Sequence, residues 1–132
     1  MRARAMIILA LGALCACDDD DDGTEADRLG VGAECKSSDD CLQEGDGGVN
    51  LTCLPQFKGG YCGLEGCTSN EDCPERSACV AHDDGKRYCF RSCTDKAECN
   101  ANRSPDNEAN CSSNVSYVDE GTKGKSCVPP SG

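Results

Sequence analysis

Residues 67–89 read CTSNEDCPERSACVAHDDGKRYC, and the reading of this stretch decides how the chain is built. Its four cysteines are spaced C-x5-C-x5-C-x9-C, with Asp72 just before the second and Tyr88 just before the fourth. The plan recurs upstream between Cys35 and Cys62, which opens CKSSDDC, carries Asp40 and Tyr61 in the equivalent places and is spaced C-x5-C-x11-C-x8-C. It recurs downstream between Cys93 and Cys127, which opens CTDKAEC, carries Glu98 and is spaced C-x5-C-x11-C-x15-C. Twelve of the 14 cysteines thus fall into three groups of four.

Composition agrees with this organisation. The 132 residues include no tryptophan and only five Phe and Tyr, so a single continuous apolar core is not expected and a disulfide scaffold is. Each repeat is near the limit of roughly 40 residues below which a domain needs crosslinks or metal. A bridge closing a loop of about 15 residues contributes on the order of 3 kcal/mol in the chain-entropy model, so two per repeat match the stability of a small domain. The chain carries 13 Lys and Arg against 24 Asp and Glu, net −11, and loss of Arg2 and Arg4 with a leader makes it −13. Nucleic-acid binding, which requires clustered cations, is not expected.

Residues 1–16 have the anatomy of a signal peptide: Arg2 and Arg4, an apolar run from Ala5 to Leu14, then small residues around Ala16. The run is too short to span a bilayer, which takes about 20 apolar residues. Export into an oxidising compartment follows. The segment Leu14-Cys15-Ala16-Cys17 resembles a bacterial lipobox, which implies cleavage before Cys17 and its lipidation. The expected site is then membrane attachment through the N-terminal lipid, on the periplasmic or outer surface of the envelope.

After Cys17, the run Asp18–Asp22 repels itself and reads as a disordered spacer, and the glycine-punctuated stretch to Ala33 as a linker or lead-in. Asp18, Asp20, Asp22 and Gly23 match positions 1, 3, 5 and 6 of a calcium-binding EF-hand loop, but position 12 is Leu29 instead of glutamate. The expected divisions are 1–16 leader, 17–33 lipidated N-terminus and spacer, and cysteine-rich modules at 34–63, 64–90 and 91–132.

Within the modules, Gly45–Gly48 mark a turn or flexible excursion, while Gly59-Gly60 and Asp84-Gly85 predict hairpins before the fourth cysteine of their groups. Glu120-Gly121 and Lys123-Gly124 suggest the same in the third, whose long polar loops are expected to be the most mobile. Asp40, Asp72 and Glu98 recur at one position and suggest a local turn or cap hydrogen bond. The expected fold is small and disulfide-rich: three tandem four-cysteine modules with short β-hairpins, long loops and little regular secondary structure. A bridge from first to second cysteine would close only a small loop, which leaves nested or crossed pairing within each group.

CKSSDDC, CTSNEDC and CTDKAEC resemble the repeats of bacterial cysteine-rich surface lipoproteins likened to the Dickkopf N-terminal domain and to colipase-like modules. The resemblance covers residues 34–128. It implies the crossed order: Cys35 with Cys53, Cys41 with Cys62, Cys67 with Cys79, Cys73 with Cys89, Cys93 with Cys111 and Cys99 with Cys127.

Catalytic and metal chemistry find little support. No C-x2-C pair occurs, and His82 is the only histidine, so neither a zinc site nor a thiol redox motif is expected. His82, beside Asp83 and Asp84, has no nucleophile motif near it and reads as an exposed loop residue. Paired carboxylates such as Asp39-Asp40 and Asp83-Asp84 read as solvated turns. The expectation is a protein without catalytic residues, cofactor or metal, serving a surface-binding or structural role toward an extracellular protein or glycan. The alternative is a secreted disulfide-rich inhibitor or toxin-like effector.

Overall fold

The computed structural model describes residues 24–42 and 49–132. The leader, Cys17, the acidic run Asp18–Asp22 and the Gly45–Gly48 excursion lie outside the described residues. The fold is small and disulfide-rich, mostly antiparallel strands with few helices. Its elements in chain order are α1 (Glu25–Leu29), β1 (Thr52–Cys53), β2 (Cys62–Glu65), β3 (Ser77–Ala81), β4 (Arg87–Cys93), α2 (Lys96–Asn100), β5 (Asn110–Ser112), β6 (Ser116–Tyr117) and β7 (Lys125–Val128). Single 3-10 turns lie at Ser38–Asp40, Asn70–Asp72 and Pro105–Asn107.

The β3–β4 hairpin turns where Asp84-Gly85 predicts. Gly85 N donates to His82 O at 3.0 Å, His82 N to Lys86 O at 2.8 Å, and Gly85 takes φ +82°, a left-handed position that glycine occupies without steric penalty. The smaller β1–β2 hairpin pairs Thr52 with Gly63 and Cys53 with Cys62 across the Gly59-Gly60 turn.

β4 is the strand that all three cysteine groups share. It pairs with β3 from Ser77–Arg91 to Ala81–Arg87, with β2 through Leu64–Cys89 and Glu65–Tyr88, and with β7 through Ser92–Ser126 and Cys93–Lys125. β5 completes the β7 edge, and β6 adds to the free edge of β3 through Val80–Tyr117 and Ala81–Ser116. Hydrogen bonding is therefore continuous across the boundaries between the cysteine groups.

Alternation along β4 separates two interiors. Tyr88 and Phe90 face a main core with Phe57, Tyr61, Leu51, Leu54 and Val80. Cys89 belongs to a second cluster with Cys67 and Cys79. A third joins Cys93, Cys99, Ala109 and Cys127. The composition argues against a continuous core, yet four of the five aromatic rings meet in one. Phe57 stands edge-on to Tyr88 at 5.1 Å and to Phe90 at 5.7 Å, and Phe90 contacts Tyr61 at 5.2 Å. Such pairs each add about 0.5–1.5 kcal/mol beyond area burial, so few rings suffice when they are brought together.

Packing decides two further expectations, the second against the mobility expected of the third group's loops. The stretch up to Ala33 reads as a linker or a lead-in to the first group, and from Thr24 onward it is a lead-in, ordered against the body. Thr24 and Asp27 form a reciprocal capping box, Gly30 ends α1 at φ +70°, and Ala26, Leu29 and Val31 are buried. Ala26 N donates to Glu75 O at 2.9 Å and Gly32 N to Cys62 O at 2.8 Å, so backbone pairing offsets the cost of ordering glycine-rich chain. The third group's long loop is also tied down. Val118 N donates to Cys79 O at 3.0 Å, Asn70 N to Asp119 Oδ2 at 2.8 Å and Asn70 Nδ2 to Thr122 Oγ1 at 2.9 Å. Its polar side chains act as partners for the second group.

Candidate functional site

The twelve cysteines of the three groups form six disulfides: Cys35–Cys53, Cys41–Cys62, Cys67–Cys79, Cys73–Cys89, Cys93–Cys111 and Cys99–Cys127. Their Cα separations run from 5.3 to 6.0 Å. Each group brings two bridges side by side, so three sulfurs gather within 4.8 Å, as at Cys67, Cys73 and Cys89. These triads have metal-site dimensions but not its chemistry, because a disulfide sulfur is not a thiolate ligand.

The recurring acid before each second cysteine closes the turn in front of it. Asp72 Oδ2 accepts from Thr68 N at 2.8 Å and Ser69 N at 3.3 Å, and Asp40 Oδ2 from Lys36 N at 2.9 Å and Ser37 N at 3.1 Å. Glu98 accepts from Thr94 N at 3.3 Å and from the Thr94 hydroxyl. The amide donors of Thr68 and of Lys36 are the main reason that the Asp72 and Asp40 carboxyls sit below their ordinary range. Asp39 carries no such bond in the structure and stays exposed.

His82 is not the exposed loop residue expected from its neighbours. It is half-buried, and its ring stands edge-on to Phe57 at 5.4 Å, Phe90 at 5.6 Å and Tyr88 at 5.8 Å. The alternation of the hairpin carries it over the main core. Beside it, the Tyr88 hydroxyl donates to Asp84 Oδ2 at 2.6 Å and accepts from Gln56 Nε2 at 3.1 Å. Burial, reinforced by Asp84, pushes the Tyr88 phenol up to about 12. Burial works against the Asp84 charge, but the bonds from Tyr88 and Lys86 N prevail and hold its carboxyl low. Asp83 remains exposed. This network fixes the hairpin tip.

Arg103 is a residue that the sequence reading passes over. Its guanidinium donates to Gly60 O at 2.7 Å, Lys58 O at 2.8 Å, Gly32 O at 3.2 Å and Asn107 O at 2.6 Å, and lies 5.8 Å from the centre of the Tyr61 ring. The Tyr61 hydroxyl in turn donates to Cys127 O at 3.2 Å and accepts from Arg91 N at 3.1 Å. One cation and one phenol thus join the first and third groups. The only local signal is the tyrosine preceding a fourth cysteine. Nothing near Arg103 in the sequence marks it.

A cleft of about 260 Å³ is lined by Asp27, Leu29, Ala33, Asp40, Leu42 and Asn102, among others. Leu42, half exposed, is the exposed large hydrophobic side chain among the described residues. Leu29, the residue at position 12 of the EF-hand match, is buried in the core. Among the described residues no helix is long and apolar enough to cross a membrane. No protein-family model, no curated protein and no solved structure matches the chain.

Proposed function

We propose that the chain is a non-enzymatic, exported, lipid-anchored cysteine-rich protein, built from three tandem four-cysteine repeats fused along β4. It presents its loops to an extracellular protein or glycan at the surface of a bacterial envelope. The observation that carries this reading is the pairing of all twelve repeat cysteines, since such bridges persist in an oxidising compartment. The leader and Leu14-Cys15-Ala16-Cys17 supply the route there. Between Cys17 and Thr24 an extended chain spans at most about 25 Å, so the anchor would hold the body close to the lipid. Half-exposed Leu42 on the cleft beside α1 offers an apolar contact for a partner.

The test is fractionation of the parent and of Cys17→Ser. The parent is expected in the membrane fraction and the variant in the soluble one. A variant retained as completely as the parent would reject the anchor, and a parent found wholly in the soluble fraction would favour the diffusing inhibitor.

A further inference from the structure

On the far side of the β3–β4 hairpin from its tip, a cleft of about 290 Å³ is lined by Arg76, Ser92, Thr94, Lys123 and Lys125, among others. Three cations thus converge in a chain of net charge −11. None of the three makes an ion pair with a described residue, whereas Lys86, Arg91 and Lys96 do. All three are exposed, and a cleft lined by charges of one sign focuses its field on a counter-charge.

The backbone at Arg76 points the same way. The turn Pro74–Ser77 is closed by Ser77 N donating to Pro74 O at 3.0 Å, and its third residue, Arg76, takes φ +70°. Glycine or asparagine normally fills that place, because a left-handed L-residue carries steric strain. Arg76 is the non-glycine residue with positive φ among the described residues. Its carbonyl accepts from Ser92 N at 2.8 Å, which fixes the turn against β4 beside the cleft. Strain retained where glycine would relieve it marks a side chain kept for its chemistry. Gly124, at φ +101°, lies between Lys123 and Lys125 in the same lining. Ser92 provides a hydroxyl, while Thr94 is engaged with Glu98.

We infer that this cleft binds a phosphate group, with Arg76 as the forked donor and Lys123 and Lys125 as the flanking charges. A guanidinium and two ammonium groups match a compact, multiply charged oxyanion, and the cleft is near the small end of ligand sites, about 300 Å³. The carboxylate bonded to a lining residue is Glu98, held by Thr94 N and the Thr94 hydroxyl, while charges beyond about 8 Å are largely screened at physiological ionic strength. The phosphate comes either from a soluble ester or from a lipid headgroup. The inference does not depend on lipidation of Cys17.

The experiment is calorimetric titration of the oxidised full-length protein with pyrophosphate in a sodium chloride background, alongside Arg76→Gly, the double variant Lys123→Gln/Lys125→Gln, and Lys58→Gln as a control. Parent and control are expected to bind alike, and each cleft variant to bind roughly tenfold more weakly or not at all. Because Arg76→Gly relieves a left-handed position, its thermal midpoint is expected not to fall, which separates loss of binding from loss of fold. Flotation of Cys17→Ser protein with phosphatidylcholine vesicles, with and without phosphatidic acid, distinguishes the sources. Capture by phosphatidic acid that pyrophosphate reverses assigns the headgroup, and pyrophosphate binding without capture assigns a soluble ester. No binding in either format, or cleft variants that bind as well as the parent, would overturn the inference.

Discussion

Gly60 shows how closely single residues are fitted around the bridges. It takes φ +73°, and a Cβ there would lie 2.1 Å from Cys35 O and 2.7 Å from Cys35 Sγ. Backbone cannot yield to such an overlap as a flexible side chain can. Gly60→Ala is therefore expected to destabilise the fold by about 2–4 kcal/mol, adding overpacking to left-handed strain, and a denaturant midpoint unchanged from the parent would refute this. The turn-closing Asp40 and Asp72 behave differently, because they are exposed and act through protonation. Asp72 has a folded pKa below its ordinary 3.8, so the folded state favours the charged form. Its contribution is full above roughly pH 5, declines as pH falls through the unfolded value and is gone below the folded one. Carboxyl NMR titration should place Asp72 below 3.8, with the Thr68 and Ser69 amides losing protection over the same acid range. A midpoint at or above 3.8 would remove the argument.

At the scale of elements, α1 is five residues long, too short to be stable alone, and depends on what it packs against. Leu29 is 1% exposed within the main core, and Glu25 Oε2 accepts from Glu75 N at 2.8 Å. Leu29→Ala is expected to cost about 2–5 kcal/mol and to raise amide exchange at Ala26 and Gly32, which bond Glu75 and Cys62. An exposed-site effect below about 0.5 kcal/mol would show that the element is not docked in solution. β4 is the opposite case. Each of its edges is occupied, and its two faces serve the aromatic core and the Cys67–Cys79 and Cys73–Cys89 bridges.

For the whole molecule, sharing β4 among the groups implies one cooperative unit. Arg103 reaches Gly32 and Gly60, and Tyr61 reaches Cys127, so hydrogen bonds join the third group to the first, while β7 joins it to the second along β4. Calorimetry of the oxidised protein should give a single transition with equal calorimetric and van't Hoff enthalpies. Three resolved transitions would mean that the repeats melt separately and that these contacts contribute little.

What the sequence determined by itself is local. The turns at Gly59-Gly60 and Asp84-Gly85 and the acids that cap the turns before Cys41, Cys73 and Cys99 depend on groups a few residues apart, whose backbone geometry their own chemistry sets. Spacing alone left nested and crossed disulfides both open, because closure entropy varies only slowly with loop length. Only the tertiary structure decided that four scattered rings form one core, that the stretch before Cys35 is a packed lead-in and not a linker, and that β4 serves every group. The same holds for the cleft, where Arg76 meets Lys123 and Lys125 only because β7 lies along the end of β4. Such meetings are set by the sum of many weak long-range contacts, and no local pattern of residue types records which strands will share an edge.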